Sequence, residues 1–205
     1  LYPYTKILPK PLVPIGDTPI VERIINRFVK FGAKDFYMTV NYKKSMIKSY
    51  FNELKKEYNL VFVDEEIPLG TGGSLSMLNE ELTSTFFVSN CDILIDANYS
   101  EVYNFHKKNN NKITMITSLK TFKIPYGIVE LDAEGLISRT REKPEYSHLI
   151  NTGMYVVEPD LLSYIPKNEF FHITQLIDLC IEKGLRVGTF PVSEDSWLDM
   201  GQLDE

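Results

Sequence analysis

The sequence predicts an α/β fold in which helices alternate with the strands of a layered sheet. Between residues 17 and 63 the predicted elements follow in the order helix, strand, helix, strand. The stretch from Phe86 to Asp92 adds a β-prone, mostly apolar run that is typical of a strand buried on both faces. The chain has 205 residues and is 43% hydrophobic, which is enough for the core of one domain. Together these observations indicate a layered α/β sheet.

The composition argues against several classes of function. The chain has 22 basic and 28 acidic side chains, and its net charge of −6 argues against a broad nucleic-acid-binding surface. No apolar run reaches the roughly 18 residues of a membrane span, and no signal peptide is visible. The cysteines, Cys91 and Cys180, are far apart and suit a reducing compartment. We therefore expect a cytoplasmic protein that binds neither nucleic acid nor membrane.

Residues 1–16 are an irregular segment that carries a lysine between two prolines. The segment contains Pro3, Pro9, Pro11 and Pro14. Prolines at this density exclude a helix or a central strand, and the apolar residues between them favour a rigid loop over a linker. Because a proline follows it, Lys10 is held in an extended backbone. The alternative for Lys10 is an ordinary solvated lysine.

The remaining elements follow from apolar periodicity and from turn residues. Asp17-Thr18-Pro19 opens a helix with a capping side chain and a proline near the first turn, and Gly32 ends it. The next predicted elements are a strand at 35–41, a helix at 45–56 and a strand at 60–63. After Asp92 they are a helix at 99–108, a strand at 112–119, β segments at 126–132, 136–143 and 149–158, a helix at 174–183 and a strand at 186–191.

A glycine-rich stretch, Pro68-Leu-Gly70-Thr-Gly72-Gly73, precedes a short helix-compatible segment at 74–82. Glycines allow positive φ angles and a close approach of the backbone, and free N–H groups at a helix start favour anions or polar ring edges. The stretch lacks the Lys-Ser/Thr of a P-loop and is not the dinucleotide fingerprint. The alternative is a tight turn into a helix.

Two apolar segments end in a carboxylate, at Asp92 and at Asp199. A strand cannot bury an unpaired carboxylate without a cost of several kcal/mol, so we expect Asp92 at the carboxyl end of its strand. That edge is where open α/β sheets bind ligands. The alternative for Asp92 is a residue that caps the next turn.

Several motifs occur in an order that resembles the sugar-1-phosphate nucleotidylyltransferase family, the NDP-sugar pyrophosphorylases. They are Lys10-Pro-Leu-Val-Pro-Ile-Gly, Pro68-Leu-Gly-Thr-Gly-Gly, Asp92 after its apolar strand, Tyr126-Gly-Ile-Val-Glu, Glu142-Lys143-Pro144, Asn151-Thr-Gly and Trp197-Leu-Asp199-Met-Gly. The resemblance covers essentially the whole chain. It implies a Rossmann-like three-layer α/β/α domain with a mixed, mostly parallel sheet and a β-rich insertion over the active-site mouth. The glycine-rich motif looks most like bacterial guanylyltransferase-type members that make activated heptose or amino sugars.

The resemblance also implies a reaction and a set of site residues. A nucleoside triphosphate and a sugar 1-phosphate form an NDP-sugar and pyrophosphate, with no covalent enzyme intermediate. The implied catalytic residues are Lys10, which would neutralise nucleotide phosphate, and Asp92 and Asp199, which would hold Mg²⁺. The implied base contacts come from the backbone of Gly70, Thr71 and Gly72. The implied sugar-phosphate contacts are Gly127, Glu142 and Asn151 for hydroxyl groups and Lys143 for phosphate.

The sequence departs from the family pattern at two places. Cys91 stands where the family normally has glycine before its metal-binding aspartate. Residues 1–5 match only the tail of the family's opening signature, so its first strand, its glycines and its arginine are absent from this sequence. We expect residues 1–205 to be a single nucleotidyltransferase domain, with its β-rich sugar-binding part at about 120–160, that lacks this strand and is inactive by itself. Loss of a central strand should expose a sheet edge. A homo-oligomer or a fused upstream domain is left open.

Two other functions compete with this one. A nucleotide-sugar-dependent glycosyltransferase also ends a strand in metal-binding carboxylates, but Asp92 and Asp96 are too far apart for its usual Asp-x-Asp motif. A non-catalytic regulatory paralogue would keep the fold and lose the metal carboxylates or the lysines. This chain retains Lys10, Asp92, Lys143 and Asp199, which favours an enzyme. Pyrophosphate release would discriminate among the three.

Overall fold

A computed structural model describes residues 4–202, which form four α-helices and twelve β-strands. The helices are α1 (Ile20–Lys30), α2 (Lys44–Glu53), α3 (Tyr99–Lys108) and α4 (Ile173–Glu182). The strands before α3 are β1 (Pro14–Ile15), β2 (Thr18–Pro19), β3 (Asp35–Val40), β4 (Asn59–Asp64), β5 (Phe86–Ser89) and β6 (Ile93–Ile95). Those after it are β7 (Ile113–Lys123), β8 (Ile128–Leu131), β9 (Ile137–Arg141), β10 (Glu145–Val157), β11 (Val187–Val192) and β12 (Trp197–Asp199).

The main sheet has four strands in the order β11-β7-β10-β5 and confirms the predicted mixed α/β class. Strand β10 runs antiparallel to both of its neighbours, while β11 is parallel to β7. Side chains alternate across β10, so Met154 and Val156 pack with α1 and α3, whereas Tyr155 and Val157 pack with α4. The sheet therefore lies between two layers of helices.

Strands β3 and β4 form a separate parallel pair, and a groove lies between β3 and β5. This central groove has a volume of about 800 Å³ and is lined by all of β3 and all of β5. Residues of α1 and of the 3₁₀ segment Gly73–Leu78 also line it. Within residues 4–202, β3 pairs only with β4 and β5 only with β10, so the groove separates two strand edges that have no partner in this part of the chain. Unpaired edges of this kind were expected from the missing strand, which itself stays a prediction.

The central groove also explains why β5 differs from its prediction. A strand buried on both faces was expected, but each of its four residues is only partly buried. The physical reason is that the groove leaves one edge of β5 without a neighbouring strand.

The start of α1 is a second correction. The helix begins at Ile20, and its first turn has no side-chain cap. The Asp17 carboxylate instead accepts a hydrogen bond from the Thr18 hydroxyl and pairs with Arg23. The apolar stripe of α1 is buried as its periodicity predicts, with Ile20, Ile24 and Phe28 in one core cluster and Val21 and Ile25 in another.

A buried histidine links α3 to the main sheet. His106 is fully buried, its Nδ1 lies 2.8 Å from the Thr114 hydroxyl, and its Nε2 lies 3.1 Å from Glu158 Oε1. Lys107 also pairs with Glu158. Burial lowers the pKa of His106, although the hydrogen bond with Glu158 partly opposes this effect.

We expect acidification to destabilise the domain through His106. Because the pKa of His106 is lower in the folded state than the roughly 6.5 of an unfolded chain, the unfolded state binds more protons in this range. The stabilisation is complete above the unfolded pKa and is lost as the pH falls through the folded pKa. The free energy of unfolding, measured with urea, should be lower at about pH 5.5 than at about pH 7.5. This difference should be smaller in His106→Gln than in the wild type. An identical loss in the variant would contradict this assignment.

No helix within residues 4–202 is both long enough and apolar enough to cross a membrane.

Candidate active site

A polar cavity of about 560 Å³ lies where β5, β10, β12 and the start of α4 meet. Five of the predicted site residues line it: Lys10, Thr71, Asp92, Asn151 and Asp199. They come from segments distant in sequence, so only the folded chain brings them together. This cavity is distinct from the central groove, although Thr71 and Asn90 line both.

Strand pairing brings Asp199 beside Asp92. Asp92 lies between β5 and β6, and β12 pairs antiparallel with β6 so that Asp199 lies opposite Ile93. The backbone N–H of Met200 donates to the carbonyl of Asp92 at 3.0 Å. A short strand pair thus holds both carboxylates at the mouth of the main sheet, as predicted from the two apolar segments.

Lys10 joins these carboxylates in one charged cluster. Its ammonium group forms an ion pair with Asp92, whose side chain is only 13% exposed. A Cβ on Gly201 would lie 3.0 Å from Oδ1 of Asp199, 3.6 Å from Oδ2 of Asp92 and 3.8 Å from Nζ of Lys10. Glycine at 201 therefore leaves room at the centre of the cluster. The side chain of Lys10 is 49% exposed and pairs with Asp92, so Lys10 is a partly solvated lysine that also belongs to the charged cluster.

The surroundings raise the pKa of both Lys10 and Cys91. Burial acts to lower the pKa of Lys10, but the hydrogen bond with Asp92 and the nearby carboxylates of Asp92 and Asp199 raise it overall. Burial, reinforced by Asp92, raises the pKa of the Cys91 thiol to about 11, so at neutral pH the thiol carries no charge. Cys91 lines the central groove rather than the polar cavity. The cysteine that stands where the family normally has glycine therefore lies at the central groove.

The glycine-rich stretch is locked against the segment that precedes α4. The carbonyl of Phe171 accepts hydrogen bonds from the N–H groups of Gly72 and Gly73, both at 2.9 Å. Gly70 has φ +78°, and a Cβ there would lie 2.8 Å from the Phe171 carbonyl oxygen. A Cβ on Gly72 would lie equally close, at 2.8 Å, to the amide nitrogen of Ile173. Close packing of two backbones thus explains why these positions are glycine.

Asn151 is held in a fixed orientation at the wall of the cavity. Its Oδ1 accepts a hydrogen bond from the N–H of Gly153 at 2.9 Å, and its Nδ2 donates to the Tyr155 hydroxyl at 2.7 Å. An amide nitrogen carries two hydrogens, so one donor of Asn151 remains for another partner. Asn151 can therefore offer a preoriented hydrogen bond inside the cavity.

The other three predicted sugar-site residues do not line the cavity. Gly127, Glu142 and Lys143 flank the β8–β9 hairpin, and all three are exposed. Gly127 and Glu142 are neighbours, since a Cβ on Gly127 would lie 2.9 Å from Oε2 of Glu142. Lys143 has φ +42°, in the left-handed region. The fold thus groups these residues on a separate arm.

The cavity is also lined by residues that were not predicted as site residues. They are Asn90, Ile93, Thr152, Gly153, Tyr155, His172, Ile173, Thr174, Trp197 and Gly201. Asn90, Ile93, Trp197 and Gly201 adjoin the two selected aspartates or belong to their motifs, so proximity in sequence could have indicated them. His172 and Thr174 lie in a stretch without a recognised motif, and only tertiary structure places them at the site.

The cluster fits a divalent cation in its chemistry. Carboxylate oxygens are the ligands that Mg²⁺ prefers, and Mg²⁺ usually takes one or two of them together with substrate phosphates. Asp92 and Asp199 supply two such carboxylates around one open space. Residues 4–202 contain no group of three or more histidine, cysteine or acidic residues placed to hold a metal ion, so a cation in this cavity would have only this carboxylate pair as such ligands. Asp96 pairs with Arg27 and does not line the cavity, which argues against an Asp-x-Asp type of site.

Fold and cavity together define an α/β protein with a charged, open site at the strand ends of its sheet. The profile of the nucleotidyl transferase family matches residues 1–205, and the chain belongs to that family. Solved structures agree on the fold. HddC from Yersinia pseudotuberculosis has a TM-score of 0.72 with this chain at 21% identity, covering 95% of this chain and 85% of that one. The same protein complexed with GMP-PN also has a TM-score of 0.72, at 19% identity, covering 96% of this chain and 86% of that one.

Curated relatives share more of the sequence. The mannose-1-phosphate guanyltransferase of Candida albicans is 31% identical over 211 residues, covering 98% of this chain and 58% of that protein. The catalytic subunit beta of the Xenopus tropicalis mannose-1-phosphate guanylyltransferase is 31% identical over 221 residues with the same coverage. The Saccharomyces cerevisiae enzyme is 29% identical over 211 residues, again with 98% and 58% coverage. The chain thus spans just over half the length of these relatives.

Proposed function

We propose that this protein transfers a nucleoside monophosphate from a nucleoside triphosphate, with GTP favoured, to a sugar 1-phosphate. The products are an NDP-sugar, for surface polysaccharide or glycoconjugate synthesis, and pyrophosphate. The observation that carries the proposal is the convergence of Lys10, Asp92 and Asp199 on one polar cavity in a nucleotidyl transferase fold. The guanyltransferase relatives support GTP as the nucleotide. Two free cysteines, Cys91 and Cys180, support a reducing compartment such as the cytoplasm.

The reaction is an in-line displacement at phosphorus. A phosphate oxygen of the sugar 1-phosphate attacks the α-phosphorus, and the bond from that phosphorus to the bridging oxygen breaks as pyrophosphate leaves. No side chain needs to become a nucleophile, so the protein contributes positioning and charge neutralisation. Lys10 would hold a phosphate oxygen by a charge-assisted hydrogen bond. Asn151 would orient a ligand hydroxyl through its remaining amide hydrogen.

A divalent cation, which we propose to be Mg²⁺, would be held by Asp92 and Asp199. When bound, it neutralises phosphate charge and orients phosphate oxygens. The ion pair between Lys10 and Asp92 implies that Lys10 would exchange its carboxylate partner for phosphate when substrate and cation enter. Gly127, Glu142 and Lys143 would contact the sugar phosphate from the β8–β9 arm.

The proposal is tested by pyrophosphate release from the full-length product of the gene. Each nucleoside triphosphate is paired with mannose 1-phosphate and with other sugar 1-phosphates, with and without Mg²⁺. Release that requires both substrates supports the proposal. Nucleotide binding without release for any pair would favour a regulatory paralogue. Consumption of an NDP-sugar with transfer to an acceptor sugar would favour a glycosyltransferase.

The two lysines are expected to affect different substrates. Lys10→Ala should impair use of the nucleotide, and Lys143→Ala should mainly raise the KM for the sugar 1-phosphate. Each loses a charge-assisted contact of about 1.5–3 kcal/mol, which is on the order of a 10- to 150-fold effect. Lys112→Ala is a matched control, because Lys112 pairs with Asp160 and does not line the cavity. Steady-state kinetics with the two effects reversed, or with neither, would refute these roles.

A further inference from the structure

The segment Phe170–Ile173 contributes a wall of the polar cavity that no recognised motif predicts. Backbone hydrogen bonds of Phe171 join this segment to the glycine-rich stretch. The N–H of Phe171 donates to the carbonyl of Leu69, and its carbonyl accepts from the N–H groups of Gly72 and Gly73, each at 2.9 Å. The N–H groups of Gly72 and Gly73 are therefore already used within the protein. The side chains that this junction presents to the cavity are those of Thr71 and His172.

The hydroxyl of Thr71 lies beside Nδ1 of His172 and influences which ring nitrogen carries hydrogen. The Thr71 hydroxyl oxygen accepts a hydrogen bond from the N–H of Ile173 at 3.2 Å and lies 3.3 Å from Nδ1 of His172. The oxygen has a second lone pair, but accepting there would leave the hydroxyl hydrogen without a protein partner among the described residues, which favours donation from Thr71 to Nδ1. A neutral imidazole whose Nδ1 accepts must carry its hydrogen on Nε2. This arrangement therefore favours a tautomer in which Nε2 is a donor.

His172 is exposed, and its ring contacts one neighbouring aromatic ring. It packs edge-on against Phe170, with ring centroids 4.7 Å apart and an interplanar angle of 82°. The backbone N–H of His172 donates to Oε1 of Gln175 at 2.7 Å, which anchors it to the first turn of α4. Within residues 4–202, no protein group accepts a hydrogen bond from Nε2 of His172. Since His172 lines the cavity, its free donor is available to a ligand.

A group that can only donate a hydrogen bond can discriminate between nucleotide bases. The cavity is charged where Lys10, Asp92 and Asp199 meet, whereas Thr71 and His172 line a neutral part of its wall that suits an uncharged part of a ligand. A sugar hydroxyl both donates and accepts, so it would satisfy either polarity. A base edge is different, because a ring carbonyl accepts and an exocyclic amine donates. A fixed N–H donor therefore discriminates only if it faces a base.

We propose that His172 is a specificity-determining residue that donates its Nε2–H to a ring carbonyl of the nucleotide base, with Thr71 as the positioning residue that selects the tautomer. This inference rests on the proposed function for the identity of the ligand. It assigns a role to a residue outside the family motifs found in the sequence. It also predicts that a base with a carbonyl at this edge binds better than one with an amine.

Direct binding of GTP, ITP and ATP to the full-length protein, measured by titration calorimetry, tests the proposal without turnover. ITP keeps the 6-carbonyl of GTP, whereas ATP has an amine there. His172→Ala should weaken GTP and ITP alike, by roughly 5- to 10-fold for one lost hydrogen bond, and should reduce the preference over ATP. His172→Gln should restore most of the affinity, because its amide can place a donor near the former Nε2. His148→Ala is the matched control, since His148 is an exposed histidine that does not line the cavity.

Thr71 is tested by a pair of variants. Thr71→Val removes the hydroxyl and should weaken GTP binding several-fold, whereas Thr71→Ser should retain wild-type binding. Unchanged GTP binding in His172→Ala, equal weakening of GTP and ATP, or an effect confined to the KM for sugar 1-phosphate would overturn the proposal. If wild-type protein binds GTP but releases no pyrophosphate with any sugar 1-phosphate, the proposed function fails while this binding test still stands.

Discussion

Replacing Asp92 or Asp199 with asparagine is expected to lower pyrophosphate release by about 10²- to 10³-fold. Each substitution keeps the size of the side chain and removes one of the two carboxylates that face the open space beside Gly201. With one carboxylate left, the cation would be held more weakly, so part of the loss should be recovered at high Mg²⁺ concentration. Initial rates of the full-length protein over a Mg²⁺ series measure both effects.

Asp96→Asn is the control for these two variants. Asp96 lies close to Asp92 in sequence, but it pairs with Arg27 and does not line the polar cavity. Its substitution should leave the rate and the Mg²⁺ dependence near those of the wild type. A rate loss in Asp96→Asn as large as that in Asp92→Asn, or wild-type rates in both cavity variants, would remove the metal role from Asp92 and Asp199.

A strand that fills the central groove is expected to stabilise the domain and raise its activity. The groove separates β3 from β5, so a strand there would pair with both unpaired edges and join the β3–β4 pair to the main sheet. The free energy of unfolding of a domain is only about 5–15 kcal/mol. The stabilisation from two added rows of hydrogen bonds and a buried apolar strand would be a large fraction of that total. Residues 1–205 expressed alone should therefore melt at a lower temperature and release pyrophosphate more slowly than a full-length protein that supplies such a strand.

Hydrogen exchange locates the effect within the sheet. Groove-facing amides of β3 and β5 should be protected in the full-length protein and should exchange faster in residues 1–205. Strand β11, which pairs only with β7 on the opposite side of the main sheet, is the internal control and should change little. Equal melting temperatures, equal pyrophosphate release and equal exchange in β3 and β5 for the two proteins would contradict the prediction.

The periodic elements were predictable because their signals are local. The helix at Tyr99–Lys108 has the bounds that were predicted, and α4 begins and ends one residue before its predicted bounds. Helix α1 was predicted as an element, but its predicted side-chain cap is wrong, because Asp17 interacts with the Thr18 and Arg23 side chains instead of the first turn. Burial of β5 was overestimated, because an apolar run does not reveal whether both neighbouring strands are present.

The charged part of the site was also largely predictable. The local features of Lys10 and Asp92 left alternatives open, and it was the order of the motifs, through their resemblance to the family, that indicated Lys10, Asp92 and Asp199 together. The glycine-rich stretch was located, but its glycines face the Phe171–Ile173 backbone, a contact between segments about a hundred residues apart. Long-range packing of this kind leaves no local pattern in the sequence.

The sequence by itself determined the α/β class, the order of the elements and the identity of the charged groups, because these depend on periodicity and residue chemistry. Tertiary structure decided which groups share a cavity. Pairing of β12 with β6 placed Asp199 beside Asp92, and docking of the segment before α4 placed His172 beside Thr71. It also placed Gly127, Glu142 and Lys143 on a separate arm. The physical reason is that a site is assembled by contacts between distant segments, and their geometry is fixed only when the core packs.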